Sequence, residues 1–75
     1  MSKLSEFQLG QRGKVVAVEG DDLLARRLLE MGITQGVEIE LVGSAPLGDP
    51  LELEVRGYRL SVRKNEAERV EMEPA

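Results

Sequence analysis

The chain has 75 residues, of which 14 are acidic and 10 are basic, and it contains neither Cys nor His. A chain of this length forms one small domain that buries roughly 60% of its unfolded surface, so we expect residues 1–75 to be a single domain. The missing Cys and His exclude disulfides, thiol chemistry and sites that need imidazole or thiolate ligands. The net charge of -4 disfavours nucleic acid as a partner, because phosphate is also negative.

The first half of the chain predicts a strand, a helix and a second strand. Residues 14–19 predict a strand, and the apolar run at 15–18 within it is typical of burial on both faces. Asp21 or Asp22 then caps a helix of about ten residues, and Gly32 ends it. Apolar residues alternate with glutamates over 37–41, which predicts a strand with one face in solvent. Before these elements, Leu4, Phe7 and Leu9 are expected to cover one end of the core.

The second half predicts a hairpin whose register is fixed by its own pattern. Apolar and polar residues alternate over 51–55 and again over 58–62, with Arg56-Gly57 as a two-residue turn between them. This register places Glu54 opposite Arg59 on the outer face, and a slip by one residue would move every leucine into water. The apolar pairs on the inner face would be Val55–Tyr58, Leu53–Leu60 and Leu51–Val62.

A short run at 70–72 predicts a last strand, and single helical turns are expected near Ser5 and over 64–68. Five short strands and one helix bury a core best as a partly open barrel. The predicted fold is therefore mainly β, a small five-stranded SH3-like β-barrel with one short α-helix.

The loop Pro-Leu-Gly-Asp-Pro at 46–50 is the first candidate site. Turn geometry alone accounts for the prolines, for Gly48 and for Asp49, which can hydrogen-bond within a turn. Turn geometry does not require an apolar residue at Leu47. Leu47 therefore either folds back on the core or is presented to a partner, and partner contact by Leu47, Gly48 and Asp49 is our hypothesis.

The helix residues Arg26 and Arg27 are the second candidate. An arginine offered to a G-protein can neutralise charge on a transferring phosphate, which makes them candidate partner-binding residues. The alternative is an ordinary surface pair, with Asp22 and Arg26 four residues apart on the outer face of the helix. A basic cluster over 56–64 gives a third, mixed-charge surface that is typical of solubility and cross-strand pairing.

No catalytic residue, metal ligand or cofactor is predicted. The strand glutamates alternate with apolar residues, which is the pattern of a solvated face, and ferrous iron sites usually use His with carboxylates. The hydroxyl side chains have no obvious base beside them, and a nucleophile needs an activating neighbour. An enzyme is therefore the least favoured interpretation.

Five segments in order resemble a known family, the FeoA family, from about Leu4 to Met72. They are Arg-Arg-Leu-Leu-Glu-Met-Gly-Ile at 26–33, Gly-Val-Glu-Ile at 36–39, the 46–50 loop, Val-Arg-Gly-Tyr at 55–58 and Ser-Val-Arg-Lys-Asn-Glu-Ala at 61–67. The resemblance implies a small cytoplasmic SH3-like protein that accompanies FeoB, the membrane ferrous iron transporter with a G-protein domain. The same fold forms the C-terminal domain of DtxR-type repressors, and the lack of a helix-turn-helix before the barrel favours the stand-alone form.

The function that the resemblance implies is an adaptor or regulator in ferrous iron transport, with a family-level link to transition metal ions. The expected partner is the cytoplasmic side of FeoB. We expect no binding to nucleic acid and no insertion into the membrane, and a weak homo-oligomer is an open alternative. The alternative is an SH3-like module bound to nucleic acid or ribosomes, which the fold permits. The negative charge and the two aromatic residues, Phe7 and Tyr58, argue against that alternative.

Overall fold

A computed structural model of the chain describes residues 2–75, and over that range six strands form one antiparallel sheet. The strands are β1 (Ser2–Lys3), β2 (Arg12–Val18), β3 (Glu38–Ser44), β4 (Leu51–Val55), β5 (Tyr58–Val62) and β6 (Val70–Pro74). Their order across the sheet is β1-β6-β2-β3-β4-β5. The register shifts once between β2 and β6 and once between β3 and β4, and such bulges bend a sheet.

The predicted mainly β fold is confirmed, and the five predicted strands are all present. The additional strand, β1, has two residues, which pair with Met72 and Glu71 of β6. A strand this short is held by its neighbour and shows no periodicity in the sequence, which is why pattern analysis does not find it. The helices are α1 (Leu23–Glu30) and the single turn α2 (Lys64–Ala67), and a 3-10 turn covers Leu4–Glu6.

The hairpin of β4 and β5 has the predicted register. Val55 pairs with Tyr58, Leu53 with Leu60 and Leu51 with Val62, while Glu54 lies opposite Arg59. Both turn residues have positive φ angles, 52° at Arg56 and 84° at Gly57. Two such residues in succession define the hairpin turn whose twist matches that of the strands.

The core lies between the inner face of the sheet and α1. Its largest fully buried side chains come from most of the elements along the chain: Leu4, Leu28, Ile33, Ile39, Leu53, Val55, Val62, Val70 and Met72. Phe7 is buried as predicted, but the prediction for Leu9 is wrong, because its side chain is 73% exposed. The Gln11 N–H donates to the Gln8 carbonyl at 2.9 Å, so Leu9 stands at the tip of a turn that leaves the core.

Helix α1 begins and ends at the predicted signals. Asp22 caps it by accepting the Ala25 N–H at 3.2 Å. At its other end, Gly32 donates to Leu29 at 3.0 Å and Ile33 donates to Leu28 at 3.1 Å, which is a Schellman motif. The hydroxyl of Tyr58 donates to the Met31 carbonyl at 2.7 Å and so ties the hairpin to the end of the helix.

Candidate partner-binding surface

The 46–50 loop closes the hairpin of β3 and β4 and points Leu47 into solvent. The Gly48 N–H donates to the Ala45 carbonyl at 2.7 Å, and the Ala45 N–H donates to the Pro50 carbonyl at 3.0 Å. Gly48 has a φ of 84°, a conformation that favours glycine. Leu47 is 96% exposed, so the alternative in which it folds back on the core is wrong.

Asp49 anchors this loop to α2. Its Oδ1 atom accepts the backbone N–H of Lys64, the first residue of α2, at 3.0 Å. The sequence predicted a bond within the turn itself, but the partner lies 15 residues further along the chain. Asp49 therefore supports the loop that presents Leu47.

The start of α2 also holds Glu66, whose side chain is buried. Its Oε1 atom accepts the backbone N–H of Arg63 at 2.7 Å, and its Oε2 atom lies 3.9 Å from Nη1 of Arg27. Arg63 and Lys64 are consecutive, with α-carbons about 3.8 Å apart. The carboxylates of Asp49 and Glu66 thus bind neighbouring amides, and Arg27 approaches the same point from α1.

The loop and Arg27, one member of the arginine pair, are therefore linked through α2. Arg26 and Arg27 are both exposed, and Arg27 has the long ion pair with Glu66 just described. Among residues 2–75, Arg26 forms no ion pair, so the predicted pair with Asp22 is wrong. We call the surface formed by Leu47, Gly48, Asp49, Arg26 and Arg27 the docking face.

Asp22 binds Arg69 instead of Arg26. The guanidinium donates from Nη1 to Oδ1 at 2.9 Å and from Nη2 to Oδ2 at 3.0 Å. These bonds from Arg69, together with the Ala25 N–H, lower the pKa of the Asp22 carboxyl to about 2. A two-pronged pair of this kind has a fixed geometry, and it joins the start of α1 to the segment between α2 and β6.

The outer face of the sheet carries a row of four cross-strand charges, with two neighbouring glutamates between two arginines. Arg12 lies opposite Glu40, Glu40 opposite Glu54, and Glu54 opposite Arg59. Nε of Arg12 is 3.2 Å from Oε1 of Glu40, which offsets the repulsion between the two glutamates. No group of three or more Asp or Glu side chains within residues 2–75 is arranged to hold a metal ion.

Sequence analysis did not place Glu66 and Lys64 in the contact between the loop, α2 and Arg27. The signal for Glu66 was present, since an acidic residue at the third position of a helical turn commonly accepts the N–H of the residue before the turn. The contact between Lys64 and Asp49 had no local signal. Within residues 2–75 no helix is long and apolar enough to cross a bilayer.

Comparison with solved structures defines the class of protein. The chain is 39% identical to a FeoA-like protein from Clostridium acetobutylicum, with a TM-score of 0.90 over 99% of this chain and 90% of that one. It is 35% identical to Stenotrophomonas maltophilia FeoA in complex with zinc, with a TM-score of 0.84 over 97% and 91%. That protein is described as a prokaryotic SH3 domain protein and a candidate activating factor of ferrous iron transport. The fold is thus that of a small SH3-like domain.

The family follows from two further comparisons. The family model described as the FeoA domain matches residues 2–74. The chain is also 38% identical over 71 residues to a Porphyromonas gingivalis protein described as a Fe(2+) transport protein A/Fe(2+) transporter FeoB fusion protein. The chain belongs to the FeoA family, which is associated with ferrous iron transport. It spans 8% of the length of that fusion protein.

The fold also occurs with little sequence identity. A manganese-dependent transcriptional repressor that is 13% identical gives a TM-score of 0.89, over 99% of this chain and 36% of that one. At this level of identity the match shows a shared fold and no shared role.

Proposed function

We propose that this chain is a non-catalytic accessory protein of ferrous iron uptake that binds the cytoplasmic side of a FeoB-type transporter. The main support is the P. gingivalis fusion, in which a relative of this chain is joined to FeoB in one polypeptide. A tether of this kind holds two domains at millimolar effective concentration. Direct contact between the two domains also requires a binding surface on each of them.

The docking face has the features of such a surface. Leu47 is the most exposed of the large apolar side chains, and the loop that carries it is fixed by two backbone hydrogen bonds and by Asp49. A rigid loop loses little entropy on binding. An apolar side chain buried at the centre of an interface contributes more than the polar residues at its rim.

Arg26 and Arg27 add exposed positive charge on α1, and Arg27 approaches α2, to which Asp49 ties the loop. Exposed charges at a rim mainly speed association and set its salt dependence. We therefore assign them to orientation of the partner and assign the larger share of affinity to Leu47. The proposed role needs no metal, cofactor or catalytic group in this chain.

The test is capture of full-length FeoB, and separately of its cytoplasmic domain, by the tagged chain with and without a GTP analogue at two salt concentrations. Leu47→Glu should abolish capture while leaving the circular dichroism spectrum and stability unchanged, since Leu47 makes no core contact. The control is Gln35→Glu, which adds a negative charge at an exposed position beside Arg12 and Glu38, among residues that include neither the 46–50 loop nor the arginine pair. Absence of capture by the unmodified chain in every condition would refute the proposal.

A further inference from the structure

An open groove of about 480 Å³ lies beside the docking face. Its lining includes Gly48 and Leu51 next to the 46–50 loop, Phe7 and Leu9 from the N-terminal segment, and Val42 of β3. The groove and the tip of Leu47 are therefore parts of one continuous surface. The two candidate sites predicted from the sequence, the loop and the arginine pair, did not indicate this groove.

The lining of this groove is mostly apolar and partly in water. Leu9 is 73% exposed although it stands beside buried Phe7. The turn at 8–11 holds Leu9 away from the core, so this leucine adds no core burial in the free protein. An exposed apolar wall next to a second exposed leucine is the arrangement that an apolar side chain of a partner would cover.

The groove is lined by one charged side chain, and that side chain is positive. Lys64 is the charged side chain among the residues that line it, and within residues 2–75 it forms no ion pair. Its backbone N–H, not its ammonium group, binds Asp49. The carboxylates of Asp49 and Glu66 each accept a backbone N–H through one oxygen and keep their negative charge, but within residues 2–75 neither forms an ion pair with the ammonium group of Lys64, which can therefore pair with a carboxylate from outside.

We infer that this groove takes a short segment of the transporter in which an apolar side chain stands next to one or more carboxylates. The apolar side chain would fill the space between Leu9 and Leu51, and the carboxylate would pair with Lys64. This inference rests on the proposed association with FeoB and adds the chemistry of the segment that is recognised. Positive charge of the groove and negative charge of the segment would also exclude basic segments of similar shape.

The experiment is a titration of the 75-residue chain with the cytoplasmic domain of FeoB by isothermal calorimetry. Lys64→Glu should weaken association about tenfold, and Lys64→Gln about threefold, because a charge pair at a partly desolvated site is lost or reversed. Leu9→Ser should weaken association by about tenfold through the lost apolar contact. The matched control is Lys14→Glu, which makes the same change of charge at an exposed position of β2 and should alter affinity less than twofold.

Three outcomes separate the possibilities. If the unmodified chain does not bind, the proposed association itself fails. If it binds and the Lys64 and Leu9 variants bind equally well, the association stands and the groove inference is wrong. Sedimentation of the free chain checks a second copy as the occupant: a dimer that Leu9→Ser converts to monomer, with FeoB binding unchanged, would overturn the inference as well.

Discussion

The carboxylate of Asp49 accepts the backbone N–H of Lys64 at 3.0 Å, and this one bond couples the loop that presents Leu47 to the start of α2. The same helical turn receives Glu66 and, through it, Arg27 of α1. An acidic side chain on a free helical N–H stabilises a helix start. Asp49 thus has a structural role within the docking face.

We expect Asp49→Ala to lower stability by about 1 kcal/mol, the usual effect of losing a side-chain cap. For a domain of this size the melting temperature should fall by about 4–8 °C. The melting temperature is measured by thermal denaturation monitored with circular dichroism. Asp49→Asn should lower the melting temperature less, since the amide oxygen of asparagine can also accept the Lys64 N–H. The control is Asp21→Ala, because the exposed carboxylate of Asp21 forms no hydrogen bond within residues 2–75. Equal melting temperatures for all variants would show that the bond contributes nothing.

A second prediction concerns Gly32 and Tyr58. Gly32 has a φ of 97°, and a β-carbon there would lie 2.5 Å from the hydroxyl oxygen of Tyr58. Gly32→Ala should therefore cost about 1–3 kcal/mol, from backbone strain and from displacement of the hydroxyl. In a Tyr58→Phe background the cost should be smaller, because the hydroxyl is absent.

Urea denaturation of the four proteins in this double-mutant cycle measures the coupling. The backbone strain at positive φ is present in both backgrounds. The difference between the two costs of Gly32→Ala therefore isolates the contact with the Tyr58 hydroxyl. If Gly32→Ala costs the same in both backgrounds, the hydroxyl does not occupy the position next to Gly32.

The pair of Asp22 and Arg69 predicts a dependence of stability on pH in the acid range. The pKa of Asp22 is lowered to about 2 in the folded protein, from an ordinary value of 3.8. A lowered pKa means that the stabilisation is fully present above about pH 4 and is lost as the pH falls towards 2. We expect Asp22→Asn, which keeps a capping side chain, to be less stable than the unmodified chain at pH 5.

The two proteins should converge in stability as the pH approaches 2, measured as urea midpoints between pH 2 and 5. Asp21→Asn serves as the control, since it makes the same change at the residue next to Asp22, and Asp22 is the residue that binds Arg69. A constant difference between Asp22→Asn and the unmodified chain at all pH values would contradict the assignment.

A fourth prediction concerns the two arginines of α1. Exposed ion pairs contribute about 0.2–1 kcal/mol each, so Arg26→Ala with Arg27→Ala should weaken capture of FeoB by about threefold to tenfold at low salt. The difference should shrink at high salt, because salt screens exposed charges. If these arginines only orient the partner, GTP hydrolysis by FeoB saturated with the double variant should equal that with the unmodified chain. A lower rate at saturation would assign them a role in hydrolysis.

Local patterns in the sequence determined much of the fold. The alternation in β4 and β5 fixed their register, because shifting it by one residue would expose every inward side chain. Arg56-Gly57 defined the turn, and Asp22 and Gly32 set the ends of α1. These signals depend on backbone geometry over a few residues, which is why they can be read without knowing the rest of the structure.

The tertiary structure alone decided which distant groups meet. Asp22 had a neighbouring arginine four residues away in Arg26, yet it binds Arg69, 47 residues distant. Asp49 reaches Lys64, and Leu9 leaves the core that Phe7 enters. Periodicity assigns a side chain to a face of its own element, whereas these contacts depend on how separate elements pack. The packing is set by the whole core, so the exposure of Leu47 and the groove beside Lys64 emerged only from the folded chain.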